Sequence, residues 1–151
     1  MPFLIRTAIQ SDALAVSKLI AGLSEYFASG PVSQISQKFW DSISVEAVTE
    51  RITSPNYICF VAEDTHGLSG FVAFRSPSHL CHLFVASRVQ SRGLGKLLWQ
   101  KVLDQSACSK ITVNSSVFAI PFYQRLGFVR VGFDKSESGI SYSPMVFTID
   151  S

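Results

Sequence analysis

Apolar residues recur along this chain in two rhythms, and the switches between them mark out its elements. Phe3 to Ile9 alternates with period two and reads as a first strand, with Ser11 in position to cap the helix that follows. Val16, Leu19, Ile20, Leu23 and Phe27 then fall at i, i+3, i+4, i+7 and i+11, one face of a helix that Gly30-Pro31 must end. Positions 31–43 carry no clear period. Ser44 to Thr53 reads as a second helix with Val45, Val48 and Ile52 on one face, stopped by Pro55.

Tyr57 to Glu63 and Leu68 to Phe74 are β-rich runs joined by Asp64-Thr65-His66-Gly67, a hairpin signal that leaves His66 at the surface. His79 to Val85 is a third such run. From Gly93 to Leu103 the helical rhythm returns through Leu94, Leu97, Leu98 and Val102. Lys110 to Asn114 reads as a short strand, and Phe118 to Leu126 as a short helix closed by Gly127. Pro121 requires that helix either to begin late, near Ala119, or to bend. Phe128 to Phe133 and Tyr142 to Ile149 complete the series. The order β-α-α-β-β-β-α-β-α-β-β mixes hairpins with crossover helices. It predicts an α+β fold in one domain over 1–151, a mostly antiparallel mixed sheet of about seven strands with about four helices on its faces.

Composition narrows the picture. With 151 residues, 47% hydrophobic and 16% charged, the chain is neither disordered nor a coiled coil. At this size folding removes roughly 68–70% of the surface of the unfolded chain, so no metal or disulfide is needed to complete a core. Thirteen Lys and Arg against eleven Asp and Glu give a net charge of +2 with no run of like charge, which argues against nucleic-acid and membrane-surface partners. Cys59, Cys81 and Cys108 are odd in number and lack CxxC spacing, so they read as buried small hydrophobes in a reducing compartment rather than as zinc ligands. No apolar run reaches the ~18–20 residues of a membrane span. Met1 to Ile9 lacks the basic start and unbroken apolar stretch of a secretory signal, so a cytoplasmic location is expected.

The most informative stretch is Gln90-Ser91-Arg92-Gly93-Leu94-Gly95-Lys96, which follows a strand and opens a helix. Two glycines permit a tight turn and a close ligand approach, while the first amides of the helix point outward without partners. Those amides, the helix dipole and Arg92 or Lys96 suit a polyphosphate that makes several contacts at once. The spacing matches neither a dinucleotide fingerprint nor a nucleotide-triphosphate loop. A plain strand-to-helix connection is the competing explanation.

Gln90-x-x-Gly93-x-Gly95 resembles the [Q/R]-x-x-G-x-[G/A] signature of the GNAT superfamily of acyl-CoA-dependent N-acyltransferases. Asn114 and the segment Ala119-Ile120-Pro121-Phe122-Tyr123-Gln124-Arg125-Leu126-Gly127-Phe128, similar to A-x-x-F-Y-x-x-x-G-F, extend the likeness. Ile5-Arg6-x-Ala8 followed by Asp12 also looks like the family's opening, so the resemblance reaches to about Phe133. It implies acetyl-CoA as cosubstrate, its diphosphate on the amides of Arg92 to Lys96. The pantetheine arm would lie between two splayed parallel strands, those of His79 and Lys110. On that reading Leu83, Phe84 and Val85 offer main-chain groups to the arm, and Gln90, Ser91, Arg92, Gly93, Leu94, Gly95, Lys96, Asn114, Phe122 and Tyr123 complete the coenzyme site. No metal is expected.

The chemistry poses two proton problems. A lysine-like amine of pKa ~10.4 costs about 4.6 kcal/mol to deprotonate at pH 7, at 1.36 kcal/mol per unit, so a base or a water chain helps. A leaving thiolate must then be neutralised, and a tyrosine hydroxyl of pKa ~10 can do so. The resemblance assigns that acid to Tyr123, or leaves it a packing tyrosine whose hydroxyl bonds the coenzyme. It gives stabilisation of the developing oxyanion to the amide of Leu83. For the base, His79 shares the face of Leu83 and Val85 in a regular strand, a bulge favours His82 instead, and a water relay is the third route. Asn114 either contacts the coenzyme arm or caps the next helix. Arg125 reads as a solvated helix position or a contact to adenosine.

In the family the acceptor meets the first two helices and the loop between the last strands. Here that is roughly Leu23 to Ile43, with Tyr26, Phe27, Phe39 and Trp40, and Lys135 to Ser141. No acidic cluster marks a polyamine pocket. The expected activity is acetyl transfer to a primary amine, small or amino-acid-like. The alternatives are acetylation of a protein N-terminus or lysine, and acyl-CoA sensing without turnover. A closed aromatic pocket favours the small molecule and an open groove the protein. The chain is expected to act as a monomer or homodimer.

Overall fold

The computed structural model describes residues 3–149 apart from 107. Its strands are β1 (Leu4–Thr7), β2 (Tyr57–Asp64), β3 (Gly67–Arg75), β4 (His79–Val85), β5 (Lys110–Ser116), β6 (Val129–Arg130), β7 (Lys135–Glu137) and β8 (Ile140–Thr148). The α-helices are α1 (Ala13–Gly22), α2 (Gln37–Ser42), α3 (Val45–Thr53), α4 (Leu94–Gln105) and α5 (Ile120–Leu126). The strands form one sheet in the order β1-β2-β3-β4-β5-β8-β6, with β7 on β8. Every pairing is antiparallel except β4 with β5, so the mixed α+β architecture is the one the element order implies. The additions are β7 and α2, both too short to show a period.

Alternation along β2 and β3 sends apolar side chains to both faces of the sheet. On one face Val72, Phe74 and Leu80 pack with Leu94, Leu98, Trp99 and Val102 of α4. On the other, Val61, Phe71 and Ala73 meet Val16 and Ile20 of α1 and Val48 of α3. Ser44 caps α3 as its sequence position indicates, its hydroxyl oxygen accepting the Ala47 N–H at 3.2 Å. Pro121 sits in the first turn of α5, which begins late, and Gly127 closes that helix at φ +107°.

Four expectations need correction. Ser11 caps nothing; it lies within a 3-10 turn, Gln10–Asp12, and the Asp12 carboxylate accepts the Ile9 N–H at 2.8 Å instead. Helix α1 stops at Gly22 rather than at Gly30-Pro31. A 3-10 turn at Ser24–Tyr26 carries the chain on, and its tighter winding still delivers Leu23 and Phe27 to the core. The strand expected over Phe128 to Phe133 is only Val129–Arg130, because Gly132 at φ +80° turns the chain away and leaves Phe133 90% exposed. Of the cysteines only Cys59 is buried, and burial pushes its thiol up to about 12.

Asp12 also accepts two bonds from the Arg6 guanidinium, at 2.8 and 2.9 Å, which tie β1 to the start of α1. The Arg6 bonds, ahead of the Ile9 amide, hold its carboxyl below the usual value. A lowered folded-state pKa means that the contribution is present above pH ~4 and is lost as pH falls through the folded value. Asp12→Ala is therefore expected to lower stability by about 1–3 kcal/mol at pH 7. Melting curves should show the gap from wild type narrowing below pH ~4.

Candidate active site

Strands β4 and β5 pair in register only at His79↔Thr112 and Leu80↔Val113, and then diverge. The opening is part of a cavity of about 910 Å³ that runs from the N-terminus of α4 past α5 to the region between α1, α2 and β8. Among the expected coenzyme residues, Leu83, Phe84, Val85, Gln90, Ser91, Gly93, Leu94, Gly95, Lys96, Asn114, Phe122 and Tyr123 all line it. Arg92 does not. Its side chain borders a separate hollow beside Asp64, His66 and Arg88, which leaves it only its main-chain amide to offer the turn.

The turn itself presents main-chain donors that could receive an anion. Ser91 at φ +69° and Gly93 at φ +81° are both left-handed, and backbone N–H groups in such turns converge. The first helical bond of α4 runs from Leu97 N–H to Gly93 O, so the amides of Leu94, Gly95 and Lys96 have no partner within the helix. Gly95 is favoured by space rather than by dihedral angle: a Cβ there would sit 3.0 Å from two atoms of the Phe122 ring, a contact the ring must yield to accept. Gln90 turns back to donate to Val85 O at 3.2 Å and fixes the turn to the end of β4.

That bond also shows which way β4 faces. The Val85 carbonyl points away from β3, and strand groups alternate edges with period two, so the main-chain groups of Leu83 lie on the same open edge. Leu83 and Val85 share a face as expected, opposite Val72 and Gly70.

A bulge brings both histidines to the face opposite Leu83. The register passes from Phe74↔Leu80 to Ala73↔His82, leaving Cys81 as an extra residue in β4. His79 is thereby placed on the face opposite Leu83, where its Nδ1 lies 2.7 Å from Thr112 Oγ1. It lines no part of the cavity and serves to join β4 to β5, so the regular-strand expectation for it fails. His82 does line the cavity, half-buried, with its ring 5.7 Å from that of Phe84. Burial first, then Arg51 and His79, push its pKa down to about 3. The imidazole is therefore neutral at pH 7, a hydrogen-bond acceptor of low basicity.

Tyr123 on α5 is 5% exposed and reaches the cavity between Phe122 and Phe128, whose rings lie 5.1 and 5.3 Å away. Burial raises its pKa, so the phenol keeps its proton at neutral pH. Asn114 is exposed to the cavity and caps no helix, since Ser116 Oγ accepts the Ala119 N–H that opens α5. Arg125 also lines the cavity and is exposed.

Sequence reasoning missed Cys81, Phe118 and Tyr142, which line the same space. The Phe118 ring packs tilted against that of Tyr26 with centroids 4.7 Å apart, and the Tyr26 hydroxyl lies 3.4 Å from Ser87 Oγ. Tyr26 thus spans the gap between the ends of β4 and β5. The signal of Phe118 in the sequence is only an apolar residue just ahead of a helix. Trp40, expected at the acceptor end, does not reach the cavity. Among the described residues no group of three or more His, Cys, Asp or Glu is arranged to hold a metal, and no helix is long and apolar enough to cross a membrane.

The family model described as an acetyltransferase (GNAT) domain matches residues 22–149. The chain belongs to the GNAT family. It is an N-acetyltransferase domain by that membership. No curated protein matches the sequence. Solved structures share the GNAT fold at low identity. A GCN5-related N-acetyltransferase from Rhodopseudomonas palustris is 18% identical, with TM-score 0.82 over 99% of this chain and 97% of that one. The PaiA N-acetyltransferase of Thermoplasma acidophilum, solved with coenzyme A, is 16% identical with TM-score 0.75 over 98% and 99%. A spermidine N-acetyltransferase SpeG chimera of Vibrio cholerae and hSSAT is 18% identical with TM-score 0.66 over 98% and 96%.

Proposed function

We propose that this GNAT chain, acting as one domain in the cytoplasm, moves the acetyl group of acetyl-CoA to the primary amine of a small molecule. One observation carries the reading: a continuous cavity joins the unpaired amides of α4 to the open edge of β4, to Tyr123, and on to a covered acceptor end. The residues fit the coenzyme. Leu94, Gly95 and Lys96 offer main-chain donors to a diphosphate, and the edge of β4 beyond Leu80 offers strand-type pairing to the amides of a pantetheine arm.

When bound, the coenzyme supplies the acetyl thioester. The Leu83 amide donates to its carbonyl oxygen, where negative charge grows as the amine nitrogen attacks. Tyr123 gives its proton to the sulfur as the C–S bond breaks, the acceptor nitrogen sheds a proton to water, and water returns one to the Tyr123 phenolate. His82, being neutral, accepts a hydrogen bond from the amine and aims its lone pair. Its depressed basicity makes it a poor final resting place for the proton, because efficient bases titrate near the working pH.

Melting curves with acetyl-CoA and with free coenzyme A test the binding half. At about a hundred times Kd the folded state gains ~2.7 kcal/mol, so the midpoint is expected to rise by several degrees. An unchanged midpoint with both ligands overturns the reading. A rise with no thiol release across a broad set of amines points to a sensor instead.

A further inference from the structure

The acceptor end of the cavity is roofed by main chain. Ser29 N–H donates to Gly139 O at 2.9 Å, Ser36 N–H to Ser138 O at 3.0 Å and Ser141 N–H to Phe27 O at 3.3 Å, while Ala28 bridges Ile140. The contact is close: a Cβ on Gly139 would lie 2.6 Å from Gln34 O. The segment after α1 is thus laced to the β7–β8 hairpin across the end of the cavity, whose lining includes Phe27, Ser138, Ile140 and Ser141.

Aromatic rings form one wall of that end. Phe39, Phe27, Phe84 and His82 follow one another with centroids 5.2, 6.1 and 5.7 Å apart, and all four border the cavity. Ile43 and Ile140 add aliphatic surface. The charge is sparse and mostly cationic. Among the described lining residues the single carboxylate is Glu137, exposed at the rim and 3.9 Å from Lys38, while Lys96 and Arg125 lie toward the coenzyme end.

Resting on the acetyl-transfer reading above, we infer that the acceptor is a small primary amine with an aromatic body and no second cationic group. An aryl ring under the roof stacks on Phe39 and Phe84 and buries its apolar surface, leaving its amine to meet the neutral imidazole of His82. A polyamine would have to strip water from a second ammonium with no free carboxylate to receive it. A peptide would have to bring main-chain amides beneath a roof whose own groups are already paired.

The test is thiol release with saturating acetyl-CoA and four acceptors: 2-phenylethylamine, 3-methylbutylamine, spermidine and a lysine-containing peptide. The value of kcat/KM for 2-phenylethylamine is expected to exceed those for spermidine and the peptide by at least about tenfold. Phe39→Ala should lower it by about tenfold or more while the melting rise with coenzyme A is retained. Phe39→Leu, which preserves bulk and helix propensity, should lower the ratio of kcat/KM for 2-phenylethylamine to that for 3-methylbutylamine by about tenfold. Equal or faster turnover of spermidine or the peptide overturns the inference, as does a Phe39→Ala enzyme with unchanged kcat/KM. Coenzyme-dependent melting without turnover of any of the four also overturns it. Loss of the melting response itself would instead overturn the acetyl-transfer reading.

Discussion

Replacing Tyr123 by phenylalanine is expected to lower kcat by about 10²–10⁴-fold, the usual contribution of a positioned proton donor. The ring contacts with Phe122 and Phe128 survive the change, so the core should hold and coenzyme A should raise the melting temperature as it does in wild type. Burial keeps the wild-type phenol protonated well above neutral pH. The variant's defect should therefore persist across the range from pH 6 to 9 rather than appear at one end. Thiol-release kinetics beside melting curves separate the roles: unchanged kcat would reduce Tyr123 to a packing residue, and lost coenzyme binding would make its hydroxyl a ligand contact.

Gly95→Val should weaken coenzyme A binding by about 10- to 100-fold. Overpacking of a closed contact costs about 1–3 kcal/mol, and each 1.4 kcal/mol is tenfold in affinity. The added carbons must displace the Phe122 ring, which borders the cavity beside Tyr123, and they crowd amides that face the anion. Gly93→Ala is the informative companion. No atom lies within 4 Å of a Cβ at Gly93, so its penalty comes from the left-handed backbone at φ +81° alone, about 1–2 kcal/mol. Isothermal titration of the two variants should find the greater loss of affinity in Gly95→Val. Equal affinities for Gly95→Val and wild type would remove this turn from the coenzyme site.

Much of the fold was legible because its signals are local. Ser44 before an amphipathic run, Gly127 after one, and two β-rich runs around Asp64 to Gly67 each fix an element from a few neighbouring residues. The turn from Gln90 to Lys96 was legible for the same reason. The faces of the β4 histidines were not. One extra residue, Cys81, turns His79 away from the face of Leu83, and nothing in the run His79 to Val85 marks where a bulge will fall. The bridge from Tyr26 to Phe118 was invisible too, since it joins distant stretches of chain across a gap that exists only because β4 and β5 part. β7 escaped because Lys135–Glu137 is wholly polar and pairs with β8 through its backbone alone.

The lacing over the acceptor end has an evolutionary corollary. Its fastenings run from backbone to backbone, and only Gly139, at φ +81° and without room for a Cβ, demands a particular residue. Side chains beneath it can change one at a time without undoing the stitching, while the machinery on α4 and α5 stays untouched. A lineage built on this chassis can wander from one amine to another by ordinary point mutation, and its diversity should concentrate in the residues that look inward from the roof.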